Sequence, residues 1–166
     1  VIDRQLTKHM DSGDMHDPFQ SSYKANHSTE TTLVRLHSDI LTAFDNKQSV
    51  LLVALDLSAA FDTVDHAILL QRLETRVGIK GTCLKWFRSY IHERTQAVSI
   101  GGTVSKACSL QCGMPQGSVL GPKLFNIYVL PLKDIIQKHN FYYQLYADDN
   151  NIYFSFKDQA LSERTE

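Results

Sequence analysis

Two short runs rich in aromatic and β-branched residues stand near the end of the chain, Phe141-Tyr142-Tyr143-Gln144-Leu145 and Ile152-Tyr153-Phe154-Ser155-Phe156. Between them lie Tyr146-Ala147-Asp148-Asp149-Asn150-Asn151. Two such runs joined by Asp and Asn, which tolerate positive φ at a tight turn, predict a β-hairpin. A turn needs polar residues but not two adjacent acids. Neighbouring carboxylates at a strand end repel each other, and a divalent cation relieves the repulsion. Taken alone, the stretch reads more simply as a solvated hairpin tip, so its meaning depends on what the fold brings beside it.

A second acidic strand end lies far upstream. Val50-Leu51-Leu52-Val53-Ala54-Leu55-Asp56-Leu57 is a continuous apolar run, the pattern of a central strand buried on both faces. Its single charge, Asp56, is costly there unless paired, hydrogen-bonded or bound to metal. Asp65 is placed to cap a helix over about 66–76, with Ile68, Leu69, Leu73 and Val77 inward. Upstream, residues 1–27 are polar and irregular apart from a short helix near 1–10. Ser28 or Thr29 then caps a helix to Asn46-Lys47 with Leu33, Leu36, Ile40 and Phe44 facing the core. After Gly78 and Gly81 a further helix carries Leu84, Phe87 and Ile91 on its buried stripe. A hairpin follows, 95–100 with 104–110 across Gly101-Gly102, and then a loop over 112–118. Pro122 opens an apolar helix with Phe125, Ile127, Tyr128 and Leu130, Pro131 kinks or ends it, and a shorter helix runs to His139.

Strands and helices mix without strict βαβ alternation, which predicts an α+β fold with an antiparallel sheet flanked by helices. A length of 166 residues with 43% hydrophobic and 21% charged content supports one domain with a real core. The net charge of −1 says nothing about partners. The charge is uneven, however: Arg76, Lys80, Lys85, Arg88, Arg94 and Lys106 face a single acid, Glu93, in a stretch that also holds Trp86, Phe87 and Tyr90. Such a stretch tracks a nucleic-acid backbone or is simply a solvated helix face. Three cysteines without paired spacing, Cys83, Cys108 and Cys112, read as reduced thiols of an intracellular protein, and no Cys/His cluster suggests zinc. No apolar run reaches membrane-spanning length and no signal pattern opens the chain, so no membrane partner is expected. A start at Val1 and an end in mid-pattern suggest a partial sequence.

If the strand ending in Asp56 lies beside the terminal hairpin, Asp56 and Asp148 meet at one sheet end. Two or three convergent carboxylates without histidine suit hard ions such as Mg²⁺. Two such ions, about 3.5–4 Å apart, would stabilise the attacking and leaving oxygens of an in-line phosphoryl displacement. Three stretches occur in order: Asp56-x-x-x-x-Phe61-Asp62, Met114-Pro115-Gln116-Gly117-Ser118-Val119-Leu120-Gly121-Pro122 and Tyr146-Ala147-Asp148-Asp149. Together they resemble the palm motifs of a reverse transcriptase. Gln20-Ser21-Ser22-Tyr23-Lys24, His27-Ser28-Thr29-Glu30-Thr31 and Trp86-Phe87-Arg88-Ser89-Tyr90 are similar to the non-LTR retrotransposon branch.

That resemblance implies a palm with partial fingers (1–47, then palm over 48–166) and no thumb. It implies RNA-directed DNA polymerase activity with two Mg²⁺ ions, Mn²⁺ being a possible substitute. Asp56 and Asp148 would be metal ligands, Asp149 a third acid, and the Leu57 backbone carbonyl a further ligand. Phe61 matches the bulky position that meets the sugar of the incoming nucleotide and rejects its 2′-OH; a core phenylalanine at a turn is the alternative. Gln116 and Gly117 match a loop touching nucleotide and template, or form a plain Pro-Gln-Gly turn. Lys24 would reach the triphosphate, and Lys85, Arg88 and Arg94 the nucleic acid. The implied partners are RNA template, DNA primer or target, dNTP, and the missing fingers and thumb of a parent polyprotein, acting in cytoplasm and nucleus. The family's Arg-Pro-containing fingers motif, its later lysine, primer grip and thumb, and the endonuclease usual in this branch have no counterpart in the sequence. An inactive or domesticated remnant that binds RNA or a protein partner, and an RNA-dependent RNA polymerase palm, remain the alternative readings.

Overall fold

The computed structural model describes residues 1–157; residues 158–166, the end of the expected palm segment, lie outside the described residues. Among the described residues six helices follow in chain order: α1 (Ile2–Ser12), α2 (Thr29–Asp45), α3 (His66–Thr75), α4 (Gly81–Ile91), α5 (Gly121–Val129) and α6 (Leu132–Lys138). The strands are β1 (Ser49–Asp56), β2 (Thr95–Gln96), β3 (Ser99–Ile100), β4 (Thr103–Val104), β5 (Cys108–Ser109), β6 (Tyr142–Tyr146) and β7 (Asp149–Phe156). All strand pairs are antiparallel, so the α+β expectation holds. The chain divides into two compact units that interleave along the sequence, residues 1–16 with 59–130, and 17–58 with 131–166.

In the first unit α1, α3, α4 and α5 enclose a core of Leu6, Met10, Leu69, Leu73, Phe87, Ile91, Leu124 and Ile127. Each such side chain, fully withdrawn from water, contributes roughly 1.5–3 kcal/mol. Asp65 caps α3 as expected, its Oδ1 accepting from Ile68 N at 2.9 Å. The buried stripe of α3 carries Leu70 rather than Ile68, which is 38% exposed. Phe87 and Ile91 face the core, as their spacing predicts. The expected hairpin forms as two short ladders, β3–β4 and β2–β5, with Gly101 and Gly102 both at positive φ in the turn.

The second unit is a three-stranded sheet in the order β1-β7-β6. Ile136 of α6, Tyr143 and Leu145 form its buried cluster, with Phe19, Leu132 and Ile152 packed against them. Residues 19–21 run alongside β6 in a parallel bridge, Ser21 N donating to Leu145 O at 3.0 Å and Leu145 N to Phe19 O at 2.9 Å. Asp17 is buried, accepting from the Tyr143 hydroxyl at 3.1 Å and from Phe19 N at 2.8 Å.

Strand β1 is not a central strand buried on both faces: it is an outer strand, paired only with β7 among the described residues, and Leu51, Leu52, Val53 and Leu55 are 41–51% exposed. An apolar run reports that a strand suits dry surroundings; it does not supply the neighbour that makes them. Helix α2 also presents a different face. Thr32, Leu36 and Ala43 are buried and Ile40 half-buried, whereas Leu33 and Phe44 are 60% and 56% exposed. The small side chains at 32 and 43 let this helix lie close against β1 and β6, and the larger apolar ones turn outward.

Candidate active site

The register of the second unit decides what its acids can do. Asp56, last residue of β1, stands opposite Asp149, first residue of β7. Directly opposed residues of an antiparallel pair share a face, so both carboxylates project to the side that α2 covers further along. Both are exposed, and both line a groove of about 370 Å³ with Thr29 and Thr32 of α2 and Tyr146 of β6. Asp148 is half-buried in the turn between β6 and β7. Its carbonyl accepts from Leu57 N at 3.2 Å and from Asn150 Nδ2 at 2.7 Å, which ties the turn to the end of β1.

The hairpin closes more tightly than the sequence predicts. Tyr146 pairs with Asp149, which leaves a two-residue turn, Ala147-Asp148, and puts Asn150 and Asn151 inside β7. The positive φ falls on Ala147, at 55°, and not on an Asp or Asn. A two-residue hairpin requires left-handed backbone at its first central position whatever residue stands there. Ala147 N donates to Gln20 Oε1 at 3.1 Å, a partner the sequence reading did not foresee.

Among the described residues no ion pair closes on Asp56, Asp148 or Asp149, and no group of three or more acids, histidines or cysteines is drawn close enough to enclose a cation. The arrangement is an open pair of carboxylates with a third acid in the adjoining turn. That suits Mg²⁺, which keeps several waters and is held by one or two carboxylates plus substrate phosphates rather than by an all-protein cage. Tyr23 stands near this end at a φ of 57°. Its phenol pKa is raised by burial, then by the negative charge of Asp148 and by Tyr146. Lys24 is half-buried and donates to Asp17 O at 3.0 Å, so its ammonium is tethered within its own segment.

The first unit holds the remaining expected residues. Phe61 is half-buried and stacks on Phe125, with ring centroids 4.6 Å apart at 21°. Met114 N donates to Phe61 O at 2.8 Å and Gly113 N to Val64 O at 2.8 Å, so the loop is sewn to the segment after β1. His66, 4% exposed, donates from Nε2 to Gly113 O at 2.8 Å. Gln116 Nε2 donates to Asp62 Oδ1 at 3.0 Å, and Gly117 is exposed at a φ of 71°. Asp62, His66 and Gly113 set this loop, and nothing in their local sequence marks them for it. On α4, Lys85 and Arg88 are exposed beside Trp86, which stacks on Tyr90 at 5.4 Å; Arg94, after the helix, is half-buried. All three cysteines are exposed free thiols.

Comparison with known proteins gives a consistent result. The family model described as "Reverse transcriptase (RNA-dependent DNA polymerase)" matches residues 1–165. The probable RNA-directed DNA polymerase from transposon X-element of Drosophila melanogaster is 33% identical over 132 residues, 78% of this chain and 14% of that protein. The RNA-directed DNA polymerase from mobile element jockey of the same fly is 34% identical over 110 residues, 66% of this chain and 12% of that protein. The Pol polyprotein from type-1 retrotransposable element R2 of Popillia japonica is 26% identical over 76% of this chain and 18% of its own length. The chain thus spans less than a fifth of these curated relatives. Among solved structures, telomerase from Candida albicans superposes with a TM-score of 0.62 at 14% identity, covering 98% of this chain and 30% of that one. Apo telomerase from Candida tropicalis gives 0.64 at 13% identity, covering 98% and 32%. Those two likenesses are likenesses of fold.

Proposed function

The chain belongs to the reverse transcriptase (RNA-dependent DNA polymerase) family, and from that premise we propose that it is the palm and part of the fingers of an RNA-directed DNA polymerase of the non-LTR retrotransposon branch. The observation that carries this reading is the register that sets Asp56 opposite Asp149, with Asp148 in the adjoining turn and no countercharge on any of them among the described residues. In this reading residues 1–47 are partial fingers and 48–166 palm. Asp56, Asp149 and Asp148, with the Leu57 carbonyl, would hold Mg²⁺, or Mn²⁺ in its place. Bound there, the cations would supply charge neutralisation as a primer 3′-OH, giving up its proton, bonds to the α-phosphate of a dNTP and the α–β bond breaks to release pyrophosphate.

The protein's own part is positioning. The exposed carboxylates leave open coordination sites for substrate phosphate oxygens, and no side chain serves as covalent nucleophile. The Phe61 ring, braced by Phe125, would present a fixed wall to the sugar. Gln116, steadied by Asp62, and Gly117 would contact the nucleotide and the templating base. Lys85, Arg88 and Arg94 would meet the backbone of the RNA template or DNA primer, and Lys24 the triphosphate on release from Asp17. No helix among the described residues is long and apolar enough to cross a membrane. The reading places the work inside the cell, in cytoplasm and nucleus.

The test is primer extension on an RNA template by the full-length protein that contains this chain. Asp56→Asn and Asp148→Asn are each expected to cut extension at least ~100-fold, as loss of one charge-stabilising group does elsewhere, with the thermal transition unchanged. Extension retained by both variants would refute the assignment. Running the assay with ribonucleotides in place of deoxynucleotides separates this reading from an RNA polymerase palm.

A further inference from the structure

One buried amide takes no part in the chemistry above, and its bonding is lopsided. Gln20 is 3% exposed, beside Leu145 of β6. Its Oε1 accepts three hydrogen bonds, from Ser22 N at 3.0 Å, Ser22 Oγ at 2.8 Å and Ala147 N at 3.1 Å. Its Nε2 is buried with no partner among the described residues. The orientation of the amide follows from the partners: two backbone N–H groups converge on one terminal atom, so that atom is the oxygen. A buried amine without a partner costs about 1–3 kcal/mol. The position therefore uses the acceptor and carries the donor as a burden.

What the acceptor holds is the turn. Ala147 N lies outside the β6–β7 ladder, which ends at the Tyr146–Asp149 pair, so it needs a partner from elsewhere. Ala147 is 5% exposed and sits at a φ of 55°, a conformation that costs an L-residue roughly 1–2 kcal/mol. The next residue is Asp148, whose carbonyl is gripped from the other side by Asn150 Nδ2 and Leu57 N. Asn150 is lopsided in the opposite sense, since its Nδ2 is engaged and its buried Oδ1 is not.

We propose that Gln20 is a positioning residue for the acidic turn: its carbonyl oxygen locks the left-handed Ala147 peptide and so fixes where Asp148 presents its carboxylate. The purpose of that lock rests on the polymerase reading; the lock itself does not. An alternative role, stitching residues 19–22 to β6, is already filled by the backbone bonds of Ser21 and Leu145.

Three substitutions test it. Gln20→Met keeps the shape and loses the acceptor, Gln20→Glu keeps both, and Gln20→Asn keeps an amide but withdraws it from Ala147 by one methylene. In the 166-residue chain, Gln20→Met should speed amide exchange at Ala147 about tenfold, the equivalent of one net hydrogen bond, while Tyr143, Leu145 and Ile152 keep their protection. In the full-length protein the same change should lower kcat for primer extension about 10- to 100-fold with KM for dNTP little altered, since it misplaces a reacting group rather than a binding one. Gln20→Glu should restore both. Unchanged exchange at Ala147, or Gln20→Glu as impaired as Gln20→Met, overturns the proposal. If Gln20→Met does not fold, Gln20→Asn gives the same reading. If Asp56→Asn and Asp148→Asn both leave extension intact, the polymerase reading fails while the exchange result still judges the lock; if both abolish extension and Gln20→Met leaves kcat unchanged, the positioning role of Gln20 fails and the polymerase reading stands.

Discussion

Gly113 shows how much a single position constrains the first unit. Its φ is +91°, and a Cβ built there would lie 2.9 Å from the backbone oxygen of Asp62. Both faults point the same way, because neither a left-handed backbone nor a main-chain oxygen yields easily. Its amide and carbonyl are both engaged, with Val64 O and His66 Nε2. Gly113→Ala is therefore expected to cost roughly 2 kcal/mol or more, read as a drop in the denaturation midpoint. A cost below about 0.5 kcal/mol would show that the loop relaxes freely. The acids proposed to hold the cations stand out in the sequence because an aspartate closing an apolar run and two more at a hairpin turn are unusual there, although Asp56 proves exposed and bears no burial cost. The residues packed around them do not stand out. Gln20 was visible only as part of a motif, and nothing local tells that its side chain reaches across more than a hundred residues to Ala147.

At the scale of elements, helix caps and the β3–β4 turn follow the sequence closely, whereas the β6–β7 turn and the exposure of each face do not. Ser28 and Thr31 form the reciprocal cap of α2, Asp65 caps α3, and Gly101-Gly102 make the turn between β3 and β4, because each depends on residues within three or four positions. Which face of α2 is buried, and whether β1 is central, depend on what lies opposite. The result can be measured by truncation. Leu69 of α3 is fully buried, so Leu69→Ala should cost about 2–5 kcal/mol. Val53 of β1 is 44% exposed, so Val53→Thr should stay within about 0.5 kcal/mol. Equal losses for the two in a denaturant titration would show that β1 is covered after all.

At the scale of the whole molecule, the two units differ in the kind of core they have. The first is almost wholly aliphatic and aromatic. The second is small and mixes hydrocarbon with buried polar groups, since Tyr143 bonds Asp17 and the Tyr153 hydroxyl donates to Asp39. It also joins segments far apart in sequence, which is why neighbouring residues alone could not place Asp56 opposite Asp149. The polar core gives this unit a pH dependence. The Tyr143 pKa is raised above its ordinary value by burial and then by the charge of Asp17; that of Tyr153 is raised by burial and then by its bond to Asp39. Below about pH 10 both phenols keep their protons whether the chain is folded or not, and stability is unaffected. Above it the unfolded chain releases protons that the folded chain retains. Unfolding is then favoured, by up to about 1.4 kcal/mol per pH unit for each tyrosine. Denaturant midpoints should therefore hold steady between pH 8 and about 9.5 and fall steeply beyond, with the part of the tyrosinate absorbance that belongs to Tyr143 and Tyr153 rising only as the second unit unfolds. Tyr143→Phe should flatten that fall, and should also cost roughly 2 kcal/mol at neutral pH by leaving the buried Asp17 carboxylate with one donor fewer. An alkaline fall of equal slope in the variant and the parent would show that Tyr143 titrates as though exposed, against a position that leaves it 2% accessible.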